Sequence, residues 1–421
     1  MNRIFVAIFF LFIVLGNVPR LLPLPGIPSQ VNALEAVLYV CSLFLFLRYF
    51  RIVLFRNYLA ITLLLLVTTS FAYGCIISGW DSGSFLYAIR LVLQVLTGVV
   101  CGYCLFCSYS LSAEKLISDV VYAYALLAVI SLGILMIIPD STMLWAFLGD
   151  GGIEFEGDPH VGRLVSTYFD PNFYGSIVVM PLTLGLVHER LNGASSKFRM
   201  ALGVIFVSLI LTYSRSGLSA FLLVCASFVL VPGIRTKFLS LRTLVGLLVL
   251  IFALLLVGGW LASLIDISIT DRIYEKFFGV TDDPSALGRL ESLSTGFALI
   301  SQHPWFGIGY NYGLQESIQV RGAGLDSSLQ VLLLNFGILG AFLAGLSILI
   351  SMVLMISRIR NRSSFSTRAL FFTAMSNIFV AVLWSGNFNQ ILFYQFWIIP
   401  SLAVFFYFYF VSWRGLSDKS V

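Results

Sequence analysis

Apolar residues follow one another along most of this chain in runs of roughly 15 to 30, and polar positions gather in the gaps between the runs. A helix needs about 20 consecutive apolar residues to cross a bilayer. The runs near 4–18, 31–50, 57–77, 85–107, 116–138, 172–187, 199–213, 216–231, 241–263, 327–356, 367–385 and 391–412 therefore predict about twelve transmembrane helices. The first run follows Arg3 and lacks a small-x-small cleavage site, so it reads as a retained signal anchor. Two long polar intervals remain, 139–170 and 264–325. The pattern thus predicts an all-α polytopic membrane protein, one integral membrane domain over 1–421 with two sizeable loops.

Composition narrows the class further. With 59% apolar and 11% charged residues, the chain is excluded as a soluble enzyme or a nucleic-acid binder. Six scattered cysteines in apolar stretches exclude a disulfide framework, and Cys101, Cys104 and Cys107 read as packing residues rather than metal ligands. Charge sets the orientation. With the N-terminus inside, 17 of the 25 Lys and Arg fall on the inner side, but only Glu114, Asp119, Glu189 and Asp418 among the 20 acids do so. This positive-inside bias predicts cytoplasmic termini and places both long loops, 139–170 and 264–325, in the periplasm. No internal repeat is visible, and the spans are nearly bare of acidic relays, both of which argue against a secondary transporter.

The outward polar groups carry the candidate chemistry. Arg215, in Leu211-Thr-Tyr-Ser-Arg-Ser-Gly217, occupies a tight connection at the outer surface, where it is either a snorkelling cation or a phosphate ligand. Asp283 and Pro284 open a predicted amphipathic helix that carries Arg289, with Leu290, Leu293, Phe297 and Ile300 at helical spacing. His303-Pro-Trp-Phe-Gly-Ile-Gly309 follows, and Gly307 and Gly309 are either turn residues or places where backbone amides approach a ligand. Asp326, before Ser327 and Gln330, is either a helix cap or a carboxylate that handles a substrate hydroxyl. Arg163 and Asn172 flank the helix start Asp170-Pro171, which gives Asn172 a structural alternative. Arg90 either snorkels outward or extends a phosphate site. Glu154, Glu156 and Asp158 lack a full calcium-loop pattern and read as a solvated acidic stretch, so no metal site is expected.

Taken in order, Thr212-Tyr-Ser-Arg-Ser-Gly217, Gly288-Arg-Leu290, His303-Pro-Trp-Phe-Gly-Ile-Gly309, Asp326-Ser-Ser-Leu329 and Asn335-Phe-Gly-Ile-Leu-Gly340 resemble the O-antigen ligase/polymerase superfamily of bacterial membrane glycosyltransferases. The resemblance covers roughly 160–340. It implies a membrane-embedded GT-C architecture in the bacterial inner membrane, working at the periplasmic face. It also implies a donor and an acceptor linked to undecaprenyl diphosphate, no cofactor, and a chain-length regulator as a candidate partner. By the same resemblance, Arg215 and Arg289 serve the lipid diphosphate, and ligases of the family carry a His where this chain has Asp326. The expected catalytic residues are therefore Asp326, Arg215 and Arg289, with Arg163, Arg90, His303, Gly307, Gly309 and Asn172 binding substrate and His303 a reserve base. The departure at Asp326 leans toward a polymerase, with a ligase or a lipid-linked glycan flippase as alternatives.

Overall fold

The computed structural model describes residues 2–21, 32–53, 57–109, 112–138, 163–193, 195–228, 284–312 and 325–417. Every regular element among them is helical. The helices are α1 (Asn2–Leu15), α2 (Ala33–Val53), α3 (Tyr58–Ser78), α4 (Ser82–Tyr109), α5 (Ala113–Ile137), α6 (Pro171–Ile177), α7 (Val179–Asn192), α8 (Ser196–Leu211), α9 (Arg215–Ser227), α10 (Pro284–Gln302), α11 (Ser328–Arg362), α12 (Phe365–Leu383) and α13 (Gln395–Ser417). Eleven of the twelve predicted runs coincide with helices, and the run at 241–263 lies outside the described residues, as do 139–162, Asp283 and 313–324.

Short polar residues fix where these helices begin. Asn57, Ser112, Ser195, Ser214, Ser327 and Ser364 each accept a backbone N–H from the first turn of the helix that follows. Each satisfies a donor the helix itself leaves unpaired. Seven helices, α2 to α5 and α11 to α13, are long and apolar enough to cross a bilayer, and the protein is a multi-pass membrane protein. The run at 172–187 is not one continuous helix: α6 and α7 meet at Val178.

At the centre, α4 packs lengthwise against α13. Gly98 and Gly102, one turn apart on α4, lie against Leu402 and Phe406 of α13, with no room for a Cβ at either position. This is the small-xxx-small contact by which membrane helices approach closely. An aromatic column ties α1 and the 163–170 segment to α13, with Phe12 and Tyr168 stacked on Phe396 at 4.6 and 4.8 Å.

Connections predicted to share one side of the membrane meet at one end of the bundle. At the first end, Asn17 donates to Tyr168 O (3.0 Å), and Tyr312 donates to Gly79 O (2.8 Å). At the opposite end, Tyr109 donates to Asp119 (2.7 Å), Arg199 pairs with Glu189 (3.2 Å), and Arg358 covers the Trp413 ring at 3.9 Å.

Helix α11 is broken at Gly337, where φ is +64° and ψ −179°. The Pro304–Tyr310 loop enters the break: Ile308 N donates to Leu334 O (2.8 Å), Ile338 N to Pro304 O (2.8 Å) and Leu339 N to Trp305 O (3.1 Å). Backbone groups freed inside a membrane helix are tolerated only when protein re-satisfies them in this way. Gly337→Ala places a Cβ in a conformation L residues avoid and against the Trp305 carbonyl. It is expected to destabilise by about 2–4 kcal/mol. Gly345→Ala, facing open space on the same helix, is expected to be neutral or slightly stabilising. Thermal unfolding in detergent compares the two, and equal melting temperatures would reject the account of the break.

Candidate active site

The first wall of the site is the segment that enters α6. Leu164 N donates to Leu211 O (2.9 Å), and the Arg163 guanidinium, 9% exposed, donates from Nε to Thr212 O (2.8 Å) and from Nη2 to Asn172 Oδ1 (2.9 Å). A buried guanidinium needs acceptors, and these supply them. Arg163 and Asn172, expected at the substrate, therefore bind each other and clamp the 212–214 turn. Asp170 caps α6 by accepting from Asn172 N and Phe173 N, as its position before Pro171 predicts.

That clamped turn is what aims Arg215. Tyr213 has φ +48°, an unusual value for a residue with a Cβ, and Ser214 caps α9. Helix α9 leaves the turn crossing α6 backbone to backbone, because a Cβ on Gly217 would meet Gly175 C at 2.8 Å. Arg215 is the first residue of α9 and is exposed, beside first-turn amides that lack helical acceptors. Burial raises the Tyr213 phenol above its usual value.

Helix α10, which carries Arg289, packs on the start of α11 next to Asp326. Asp326 N donates to Ser292 Oγ (2.8 Å), and Gln330 Nε2 donates to Leu293 O (2.9 Å) with its amide against Gly296. Arg289 lies one turn before Ser292 on the same face of α10. These pairings, with Pro304 to Ile338 further along, make α10 parallel to α11. The apolar face expected of α10 is accordingly divided. Ile300 is buried and Leu293 half-buried, while Leu290 and Phe297 stay exposed. Ser327, not Asp326, caps α11 by accepting from Gln330 N (3.3 Å). The cap alternative for Asp326 is thereby removed.

A connection that sequence reasoning passed over ties these helix starts together. Between α12 and α13, two 3-10 turns, Ser385–Asn387 and Ile391–Phe393, form a short strap. Asn389 Nδ2 donates to Ser216 Oγ (3.2 Å), and Asn389 O accepts from Ser328 Oγ (2.7 Å). Gly386 O accepts from Ser327 Oγ (3.3 Å), and Gln390 Nε2 donates to Leu325 O. The available signal was the polar run Asn387-Phe-Asn-Gln390 between two apolar helices.

Four further candidates stand apart from this group. Gly307 and Gly309 are close to backbone of the protein itself, Gly307 against Leu334 O and Gly309 against Gly74 Cα, so neither offers room to a ligand. Their amides and freedom serve the loop docked in the α11 break. His303 follows the end of α10, eleven residues beyond Ser292 and so about 16 Å along the helix axis from it. It is too far to act as a base beside Asp326. Arg90 pairs with Glu35, from Nε to Oε1 at 3.1 Å and Nη2 to Oε2 at 3.2 Å, and Tyr39 donates to the same carboxylate. Glu35 is fully buried, so its charge requires Arg90. Arg90 is thus held inside the fold between α2 and α4.

What converges is two helix N-termini, α9 and α11, with Arg215 at one, Asp326 just before the other, and Arg289 one turn from the serine that holds Asp326. Helix N-termini carry partial positive charge, and Arg offers a planar fork suited to phosphate oxygens. The arrangement favours an anion beside a carboxylate.

Residues 200–345 match the family model described as O-antigen ligase, a segment that runs from α8 through the turn, Arg215, α10 and the docked loop to just past the α11 break. No curated protein matches the chain. The matched segment covers less than half of the chain but contains Arg215, Arg289 and Asp326, so the part of the chain that carries them is similar to that family, whose members carry out glycosyl transfer of the polymerase or ligase type from lipid-linked glycans.

Proposed function

We propose that the protein polymerises oligosaccharide repeat units carried on undecaprenyl diphosphate, at the periplasmic face of the bacterial inner membrane. The observation that carries this reading is the tie between the starts of α9 and α11, with Arg215 at one, Asp326 just before the other and Arg289 on the α10 that packs beside Asp326, all inside the segment that matches the family. In the reaction, an acceptor sugar hydroxyl attacks the anomeric carbon of the donor glycan. The bond from that carbon to the diphosphate oxygen breaks, and undecaprenyl diphosphate leaves with the electron pair. Arg215 and Arg289 hold the charge that grows on the leaving diphosphate. Asp326 takes the acceptor's proton and orients the hydroxyl.

Trp384, exposed beside α9, donates to Ser219 Oγ (2.7 Å) one turn from Arg215. Tryptophans favour the membrane interface, which supports headgroup depth for Arg215. The charge bias supports an outward site. A ligase that hands glycan to lipid A core is the second reading, favoured by the description of the matching family. The resemblance to ligases carries a His at the position of Asp326, and this chain lacks it.

Purified protein in sealed vesicles, supplied with lipid-linked repeat units, tests the proposal. A ladder of lengthening products, formed only from donor offered at the outward face, is expected. Single transfer to lipid A core would make the protein a ligase, and movement of donor across the bilayer without transfer would make it a flippase.

A further inference from the structure

We infer that Asn389 is a positioning residue, which holds the start of α9, and with it Arg215, in register with the start of α11 and Asp326. The inference rests on the functional reading above and adds a residue to it. Asn389 is nine-tenths buried and reaches both helix starts at once. Its side-chain amide donates to Ser216, the neighbour of Arg215, and its carbonyl accepts from Ser328, two residues after Asp326.

The strap around Asn389 is itself fixed at several points. Asn389 N donates to Ser385 O (3.1 Å), Ser328 Oγ accepts from Leu392 N (3.1 Å), and Ser327 Oγ donates to Gly386 O. On the other side, Ser216 Oγ lies 3.1 Å from Ser214 Oγ, the cap of α9. Helix α9 otherwise packs on α6, α7, α8 and α12, and α11 packs on α3, α10, α12 and α13. Among the described residues, the strap and α12 pack on both, and the strap does so through polar groups adjacent to the two candidate catalytic residues. A leaving group held by Arg215 and an acceptor held by Asp326 must be correct to well under 1 Å, since a misplacement of that size reduces rates about a hundredfold.

The test compares wild type, Asn389→Ala, Ser216→Ala and the double variant, each with spin labels at exposed Leu222 on α9 and Leu343 on α11. Asn389→Ala is expected to broaden the distance distribution between the labels. It should also lower kcat for repeat-unit transfer tenfold or more, with the donor KM changed less than threefold. The double variant should be no worse than either single one, because both remove the same bond. Asn389→Gln, which carries the same amide on a longer stem, should recover part of kcat. An unchanged distance distribution overturns the inference, as does a broadened distribution with wild-type kcat. If wild type transfers nothing, the proposed function has failed, and broadening alone then upholds the strap as the clamp between the two helices.

Discussion

Arg215→Ala and Arg289→Ala are each expected to slow glycosyl transfer about a hundred- to a thousandfold, the loss seen when one preorganised charge donor is removed from a transition state. Both variants should insert and melt close to wild type. Arg215 is exposed, and a cation at a helix N-terminus opposes the helix dipole, so its removal does not weaken α9 through that term. Lys at either position should recover little, because a point charge does not reproduce the two-pronged contact of a guanidinium with phosphate oxygens. Arg163→Ala provides the contrast. It leaves Thr212 O and Asn172 Oδ1 without their partner in a buried place, so it should lower stability by about 1–3 kcal/mol and lose activity only in step with folding. Initial rates with a lipid-linked donor, set beside melting temperatures, separate the two patterns. Wild-type rates in Arg215→Ala or Arg289→Ala would remove that arginine from the site. Transfer should persist in EDTA, and loss that a divalent ion restores would overturn a diphosphate site built on arginine alone.

The helices were legible because the bilayer imposes a coarse demand, about 20 apolar residues at a time, that leaves an unbroken trace in the sequence. Their starts were legible for a local reason: the cap and its partner lie three residues apart, as with Ser327 and Gln330. Arg215, Arg289 and Asp326 were legible as polar residues at predicted helix boundaries on one side. Contacts between distant segments left no such trace. Gly307 reads equally as a ligand contact or a turn until Leu334 and Gly337 are placed beside it. Arg163 and Asn172 look outward until the 212–214 turn supplies the acceptors that occupy them. Glu35 has one local signal, an acid in an apolar run with Tyr39 one turn later, but its partner Arg90 is 55 residues away. The strap was missed because its hydrogen bonds span separations of 61 and 173 residues, and short polar connections between membrane helices usually read as simple loops.

Asp326→Asn is expected to fold as wild type and to lose most polymerisation, while donor binding through Arg215 and Arg289 is retained. The structure sharpens this expectation because Ser327 is the cap of α11. Removing the cap, in Ser327→Ala, should lower helix stability by about 1 kcal/mol, whereas Asp326→Ala should not show that cost. What holds Asp326 in place is its backbone N–H on Ser292 Oγ, and that bond survives any change of its side chain. Asn keeps the shape and loses the charge and basicity needed to take a proton from a hydroxyl. Asp326→His supplies a base of different reach, and it should be impaired as a polymerase because the acceptor must be placed as well as deprotonated. Rates and product lengths with lipid-linked repeat units, alongside donor binding by titration, give the answer. A ladder of wild-type length and rate from Asp326→Asn would exclude Asp326 as the proton acceptor. The base would then have to be another group, and His303 lies too far along α10 to take over.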